Sequence, residues 1–290
     1  MNLRVIISYF YICSLVIAQT EPTNNYVLCF SDNSFHDVEM TDARAIVNVL
    51  GKKLITEYDK TAGGGSVVFN LETELQKHID DGADMFILLS TEYLEVQNNK
   101  SLIPRYSIIV DGGIGFKYNL LINKSSGIQS FSDLRNKSIS VLGNNFESPS
   151  FYWLSSITKK NANVFPQDYF DKIVLKPKAK SIILSVFFNQ IDACLTSSNS
   201  LEIVSELNPQ IAENLIIIEE SPSLLTGLIC FNESIIGTQK EKVLIKALES
   251  LHNNYYGKQL LDLYSIEQLI PFDEKHLINV INLMKGLKVK

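Results

Sequence analysis

The 290-residue sequence predicts an α/β protein in which two doubly wound α/β lobes are joined by a two-strand hinge. Short apolar runs alternate with amphipathic helical segments, a pattern typical of parallel sheets covered by helices on both faces. The alternation restarts near Lys124, and the chain is longer than one ordinary hydrophobic core requires. A return strand at 225–231 predicts that the chain re-enters the first lobe, so it crosses the hinge near 112–118 and again near 219–225.

The first lobe is predicted to comprise residues 26–113 and 225–290. Its predicted strands are 26–30, 67–69, 85–89, 106–110 and 225–231, and its predicted helices are 41–58, 71–79, 240–256, 259–264 and 274–287, with a short one opening at Ser90. In the first helix Ile46, Leu50 and Leu54 recur every four residues and form one apolar stripe. Gly63-Gly64-Gly65 lacks the Lys-Ser/Thr that follows in a phosphate-binding P-loop, so we interpret it as a connecting turn.

The second lobe is predicted to comprise residues 114–224. Its predicted strands are 116–122, 138–142, 173–176, 193–196 and 215–218, and its predicted helices are 131–135, 148 or 149 to 159, and 181–189. Gly112-Gly113 separates the first of these strands from the last strand before the crossing. No repeat of fixed period and no low-complexity linker interrupts the pattern.

The N-terminus has the composition of a secretory signal peptide over residues 1–18. Arg4 supplies a positive charge before an apolar stretch, and Val16 and Ala18 are the small residues that a signal peptidase reads. A retained anchor helix is the alternative, but the apolar stretch is shorter than the roughly 20 residues that a membrane span needs. We therefore expect cleavage after Ala18 and a secreted or periplasmic protein.

Composition excludes several classes of function. The chain is 46% hydrophobic with a net charge of −6, which argues against extensive disorder and against a nucleic-acid partner. Cys29, Cys194 and Cys230 remain after the signal peptide, and we expect free buried thiols, although a Cys194–Cys230 disulfide stays open. The four His residues are scattered without paired ligands, so no metal site and no cofactor are expected.

An ordered series of segments resembles the phosphonate-type periplasmic substrate-binding proteins of ABC transporters, which have the type II periplasmic-binding-protein fold. The segments are "LQKHIDDGADMFILLSTEYL" (75–94), "IQSFSDLRNKSISVL" (128–142), Ser148-Pro149-Ser150, "VFFNQIDACLTS" (186–197), Glu220-Ser221-Pro222 and 260–280. The resemblance implies a monomeric extracytoplasmic protein that captures a small, anionic ligand in an interlobe cleft and meets membrane permease subunits. The chain departs from the family at Phe151 and Asn189, which replace glycines, and Lys178 or Ala179 stands near the position of a ligand-contacting His. Ligand identity therefore stays open.

Two helix N-termini are candidates for an oxyanion site in such a cleft. Unpaired N–H groups and a partial positive charge at a helix start attract anions, and Ser90-Thr91 and Ser148-Pro149-Ser150 each follow a strand. Ordinary capping is the alternative for each. The candidate ligand-binding residues are Ser90, Thr91, Tyr93, Ser148, Ser150, Tyr152, Phe35, His36, Thr196 and Ser197. Trp153 is expected in the core, and Asp192 is expected to be structural.

Three functions remain open from the sequence. The first is a binding protein of an ABC importer, whose closed form is recognised by membrane subunits. The second is an extracytoplasmic sensing subunit that presents its closed form to a receptor kinase or cyclase. The third is an enzyme on the same fold. No cysteine with a neighbouring base and no convincing carboxylate pair is apparent, so no catalytic residue is expected.

Overall fold

The structure is a computed structural model that describes residues 24–35, 40–110, 113–143, 145–263 and 266–287. Their strands form two separate sheets, one of six strands and one of five. The predicted signal peptide and His36 lie outside the described residues. Among the helices that are described, none combines the length and the apolar character needed to cross a membrane.

The first sheet has the strand order β11-β4-β10-β3-β1-β2. Its strands are β1 (Asn24–Ser31), β2 (Ala62–Phe69), β3 (Met85–Leu89), β4 (Leu102–Ile109), β10 (Gly227–Asn232) and β11 (Gln268–Pro271). β1 pairs with β2 and β3 in parallel, whereas β10 lies antiparallel between β3 and β4. The sheet is therefore mixed, because the strand that returns from the second sheet runs opposite to the strands of the first half.

The second sheet has the order β7-β6-β8-β5-β9. Its strands are β5 (Tyr118–Asn123), β6 (Ser138–Leu142), β7 (Lys172–Lys176), β8 (Ala193–Ser197) and β9 (Leu215–Glu220). β6 is parallel to β7 and β8, and β5 is antiparallel to β8 and β9. The expectation of two α/β units joined by two crossings is confirmed, but in each unit the crossing strand departs from a purely parallel sheet.

Eleven helices of the described residues cover the sheets. They are α1 (Met40–Tyr58), α2 (Leu71–Asp80), α3 (Ser90–Val96), α4 (Pro149–Ala162), α5 (Pro166–Tyr169), α6 (Ala179–Phe187), α7 (Ser198–Leu207), α8 (Pro209–Asn214), α9 (Gln239–Glu249), α10 (Tyr255–Leu263) and α11 (Ile278–Lys285). One apolar cluster continues from the first sheet into the second: it contains Leu88 of β3, Trp153 of α4 and Val280 of α11. Trp153 thus lies in the core, as expected, and α11 packs near the junction against α3 and α4.

The interpretation of Gly63-Gly64-Gly65 as a turn is wrong, because all three residues lie in β2 and pair with β1. Gly64 has φ +94°, and a Cβ there would lie 1.9 Å from the carbonyl oxygen of Tyr26. The glycines therefore permit a close approach of two strand backbones rather than a reversal of the chain.

Other differences concern the bounds of one helix and elements that were not predicted. The predicted helix 240–256 is two helices, α9 and α10, separated by a 3-10 turn at Leu251–Asn253. Helices α7 and α8 and strand β11 have no counterpart in the sequence prediction. The side chain of Ser197 caps α7 by accepting from the backbone N–H of Ser200, so a polar run that resembles a loop begins a helix.

Two predictions about single residues are confirmed. Cys29, Cys194 and Cys230 are free and buried, with Cys194 in the second sheet and Cys230 in the first. Asp192 is structural: its carboxylate accepts from the backbone N–H of Ser138 at 2.8 Å and from the Ser138 hydroxyl at 2.6 Å. It thereby fixes the start of β6 beside β8.

The two crossings between the sheets are themselves paired. Phe116 and Leu224 exchange backbone hydrogen bonds of 3.0 and 2.9 Å and form an isolated antiparallel bridge. Gly115 precedes it with φ +81°, and a Cβ there would lie 1.8 Å from the carbonyl oxygen of Leu224. Only glycine allows the two crossings to run this close together.

Candidate functional site at the junction of the two sheets

The start of α3 is organised by a buried carboxylate. Glu92 is 1% exposed, and it accepts hydrogen bonds from the backbone N–H of Leu89, the Ser31 hydroxyl and the Asn33 amide at 2.8, 2.6 and 2.8 Å. Burial raises the pKa of Glu92, while these three donors favour the ionised form. Glu92 therefore ties the end of β1 to the start of α3 at the carboxyl edge of the first sheet.

The hydroxyls of Ser90 and Thr91 are both buried and both bonded. Ser90 donates to the carbonyl of Leu225, in the segment that returns from the second sheet. Thr91 Oγ1 donates to the carbonyl oxygen of Glu147 at 3.1 Å, and this bond crosses to the loop before α4. The start of α3 thus touches the start of α4 directly.

The start of α4 has its own hydroxyl pair. Ser148 is the N-cap residue and accepts from the backbone N–H of Phe151 at 3.4 Å. The Oγ atoms of Ser148 and Ser150 lie 2.9 Å apart, and Ser150 also donates to the carbonyl of Leu142. Both serines are buried, so capping accounts for the Ser148 contact, and the pair lies beside the Thr91–Glu147 bond.

A glycine brings the end of β6 against this helix start. Gly143 has φ +155°, and a Cβ at this position would lie 2.7 Å from Ser148 Oγ. A larger residue would push Ser148 away from its N-cap position.

Further contacts join the lobes around this point. Asn145 donates its amide to Asn33 Oδ1 at 2.6 Å, and the Tyr152 hydroxyl donates to Glu95 Oε1 at 3.0 Å. Between the lobes lies a cavity of about 270 Å³, lined by Asn33, Asn70, Leu71, Glu72, Asn145, Phe146 and Glu147. We call the region that contains these interlobe hydrogen bonds and this cavity the seam. Carboxylates and carboxamides dominate it, so its lining offers more hydrogen-bond acceptors than cations.

Two buried oxygen atoms lie between β5 and the end of β8. Thr196 and Asn119 are opposite each other in the β5–β8 pairing, and neither Thr196 Oγ1 nor Asn119 Oδ1 has a hydrogen-bond partner among the described residues. Asn119 uses only its amide, which donates to Ser198 Oγ at 3.1 Å. Unpaired buried polar atoms are costly, so this pair is a candidate contact for a polar ligand group, and that role stays a prediction.

The structure thus brings most of the candidate residues to one region. Ser90, Thr91, Ser148, Ser150 and Tyr152 meet at or beside the seam, and Thr196 and Ser197 end β8 in the second sheet. Tyr93 packs edge-on against Phe272, with 6.2 Å between ring centroids, and Phe35 is buried in the core of the first sheet. The ligand roles of all these residues stay predictions.

Sequence reasoning missed the acidic and amide side chains of the seam. These are Asn33, Glu72, Glu92, Glu95, Asn145 and Glu147, and Asn119 in β5 was missed as well. Two of these residues have a signal in the sequence that could have identified them. One is Glu92, since Glu in the third position of a helix commonly accepts from the backbone N–H of the capping residue. Asn119 is the other, as a polar residue inside an apolar strand.

One family model matches most of the chain. The family model for the periplasmic substrate-binding protein of phosphonate ABC transporters matches residues 37–277. No curated protein matches the sequence significantly.

Solved structures show a similar fold at low sequence identity. A binding-protein component of an ABC phosphonate transporter from Pseudomonas aeruginosa is 16% identical with a TM-score of 0.64, over 89% of this chain and 85% of that chain. PhnD1 from Prochlorococcus marinus, in complex with methylphosphonate, is 17% identical with a TM-score of 0.65, over 90% and 98%. A Xanthomonas citri protein bound to ATP is 14% identical with a TM-score of 0.65, over 91% and 97%.

The family match covers the whole second sheet and every strand of the first sheet except β1, and the solved structures share the fold over most of their length. The chain therefore belongs to the periplasmic substrate-binding proteins of phosphonate ABC transporters.

Proposed function

We propose that the chain captures a small oxyanion between its two lobes and presents the closed form to the membrane permease of an ABC importer. The observation that carries this proposal is the Thr91–Glu147 hydrogen bond, which places the starts of α3 and α4 against each other at one point between the sheets. PhnD1 from Prochlorococcus marinus, which has a similar fold, is in complex with methylphosphonate. That complex makes a phosphonate-like oxyanion the first ligand to test.

The proposed site uses the N-terminus of α4 together with nearby hydroxyls. α4 is 14 residues long, so its first turn carries an appreciable partial positive charge. Ser148 and Ser150 now donate to main-chain carbonyls, and rotation about χ1 would redirect either hydroxyl to a ligand oxygen. Thr196 and Ser197, at the end of β8, are proposed as further contacts, with Asn119 beside them.

The proposed movement is a rotation of residues 114–224 against residues 26–113 plus 225–290. All the strands of the second sheet lie in the first of these ranges. The strands of the first sheet lie in the other, apart from the first two residues of β1. The Phe116–Leu224 bridge holds the two crossings together and is proposed as the axis of this rotation. Such closure couples ligand binding to a shape that a membrane partner recognises.

A binding role rather than catalysis is part of the proposal. Burial, with a smaller contribution from Asp84, raises the pKa of Cys29 to about 12, and burial raises the pKa values of Cys194 and Cys230 as well. Thiols that stay protonated are poor nucleophiles. We further propose that the signal peptide is cleaved after Ala18 and that the mature protein is a secreted or periplasmic monomer.

A thermal-shift titration with methylphosphonate, inorganic phosphate and methanesulfonate tests the proposal. A ligand at 100 times its dissociation constant stabilises a protein by about 2.7 kcal/mol, which raises the melting temperature measurably. We expect Ser148→Ala with Ser150→Ala to abolish the shift and the exposed Ser132→Ala to preserve it. No shift with any of the three anions, or a shift unchanged in the double variant, would refute the proposed site.

A further inference from the structure

Asn119 and Thr196 are neighbours on one face of the second sheet. Two positions along the same pairing, Leu121 lies opposite Cys194, and both of these belong to the apolar cluster that includes α6. Because side chains alternate along a strand, Asn119 and Thr196 project to this same face. Asn119 is 2% exposed and Thr196 is 0% exposed, so a buried polar pair ends an otherwise apolar surface.

The free end of the Asn119 side chain is its oxygen. The amide nitrogen donates to Ser198 Oγ at 3.1 Å, and the Ser198 hydroxyl donates its one proton to the carbonyl oxygen of Lys117 at 3.4 Å. These two bonds fix the orientation of the carboxamide, because the Ser198 oxygen has no second proton to offer. Asn119 Oδ1 can only accept, and no described residue donates to it. A group that completes this atom must therefore bring a hydrogen of its own.

Thr196 Oγ1 also has no partner among the residues that the structure describes. The Cβ atoms of directly opposed residues in antiparallel strands lie about 4.5–5.5 Å apart, so one small group between the two side chains can reach both. A hydroxyl both donates and accepts. It would accept from the Thr196 hydroxyl and donate to Asn119 Oδ1, which completes the pair at once.

We propose that Asn119 and Thr196 select an oxyanion that still carries an acidic proton, with its P–O–H group between the two side chains. The inference rests on the proposed function, since it names the protonation state of the ligand at the same site. A sulfonate has no proton at neutral pH, so it leaves Asn119 Oδ1 without a donor. The seam agrees with a ligand of low charge, because its cavity is lined by Glu72 and Glu147 and by no Lys, Arg or His.

The charged and titratable groups around this pair set the control that the experiment needs. Lys117 and Glu220 flank Asn119 in β5 and β9 and pair with each other at 3.1 Å. Lys178 and Lys180 lie at the start of α6, and burial raises the pKa of the Cys194 thiol on the same face. Methanesulfonate has no proton to lose between pH 6 and 9, so its affinity reports any titration of the protein itself.

Calorimetric titrations with methylphosphonate, inorganic phosphate and methanesulfonate at pH 6, 7.5 and 9 test the inference. Methylphosphonate and phosphate both gain a second negative charge near neutral pH, but only methylphosphonate loses its last P–O–H group. At pH 6 we expect methylphosphonate to bind at least about tenfold more tightly than methanesulfonate. Its affinity should then fall by up to about tenfold per pH unit above its second pKa, while the affinity for phosphate falls less.

Asn119→Thr places a hydroxyl, which can donate or accept, where the native oxygen only accepts. The preference for methylphosphonate over methanesulfonate should therefore shrink in this variant. Asn98→Thr, at an exposed position after α3, is the matched control and should keep the wild-type preference.

Equal affinity for methylphosphonate and methanesulfonate at pH 6 would overturn the inference. An equal fall for methylphosphonate and phosphate as pH rises would also overturn it, since charge rather than the proton would then be read. An unchanged preference in Asn119→Thr would overturn it as well, because a water rather than a ligand hydroxyl would complete the pair. These results leave the proposed function in place, whereas no binding of any of the three anions would overturn both.

Discussion

The carboxylate of Asp84, only 1% exposed, lies 2.8 Å from the ammonium of Lys240 and joins β3 to α9. Asp84 also accepts from the backbone N–H of Val27 at 2.8 Å, so it links three elements of the first lobe. Burial raises the pKa of Asp84, and Lys240 and Val27 act in the opposite direction. A buried charge of this kind is stable only while its partners remain.

We expect Lys240→Met to destabilise the protein by about 1–3 kcal/mol at pH 7, because it leaves the Asp84 carboxylate with one partner fewer. A group with a raised folded pKa weakens the fold as pH rises through that pKa, and removal of Lys240 raises it further. The loss should therefore be smaller at pH 4.5 than at pH 7 in urea titrations. An equal loss at both pH values would contradict this role of Asp84.

Gly64→Ala should destabilise the protein by at least about 2 kcal/mol, since its Cβ would meet the Tyr26 backbone and its φ is positive. Gly82→Ala is the matched control. Gly82 has φ +78° with open space around it, so only the backbone strain of about 1 kcal/mol applies. Urea unfolding of both variants measures the difference, and equal losses would show that the strand approach is not the constraint.

Asp192→Asn should lower stability at pH 7 by about 1–2 kcal/mol. Although burial opposes it, the hydrogen bonds from Ser138 hold the pKa of Asp192 below its ordinary value. Stability of this origin is present above the unfolded pKa, which is about 3.9, and is lost as pH falls through the folded value. The difference between variant and wild type should therefore shrink at acid pH in thermal unfolding scans, and a gap that widens there would refute the assignment.

Thr196→Val should leave the melting temperature unchanged or raise it, because the Thr196 hydroxyl has no hydrogen-bond partner to lose among the residues that the structure describes. If this hydroxyl contacts ligand, the melting shift with methylphosphonate should decrease. Thr158→Val is the control for a hydroxyl that is bonded, since Thr158 Oγ1 donates to Leu154 O at 3.0 Å, and it should cost about 1 kcal/mol. A Thr196→Val variant as destabilised as Thr158→Val would show that a partner is present.

The sequence predicts the apolar strands well, because burial dictates their residue types locally. The predicted bounds 138–142 and 85–89 are those of β6 and β3. Gly63–Gly65 was misread, since its conformation depends on a neighbouring strand rather than on local preference.

The candidate site was predictable only in part. Hydroxyls at Ser90, Thr91, Ser148 and Ser150 follow strands in the sequence, and the structure brings them together at the seam. The cavity that Glu72 and Glu147 both line was not predictable, because nothing in the sequence near either residue refers to the other.

The strand order of the first sheet has a consequence for the order in which the chain folds during synthesis. β10 lies between β3 and β4, so these two neighbours cannot join until residues 227–232 have emerged. The second sheet needs nothing beyond Glu220, and it can assemble while the rest of the polypeptide is still being made. The half that starts first therefore finishes last, and it offers unpaired strand edges throughout that interval.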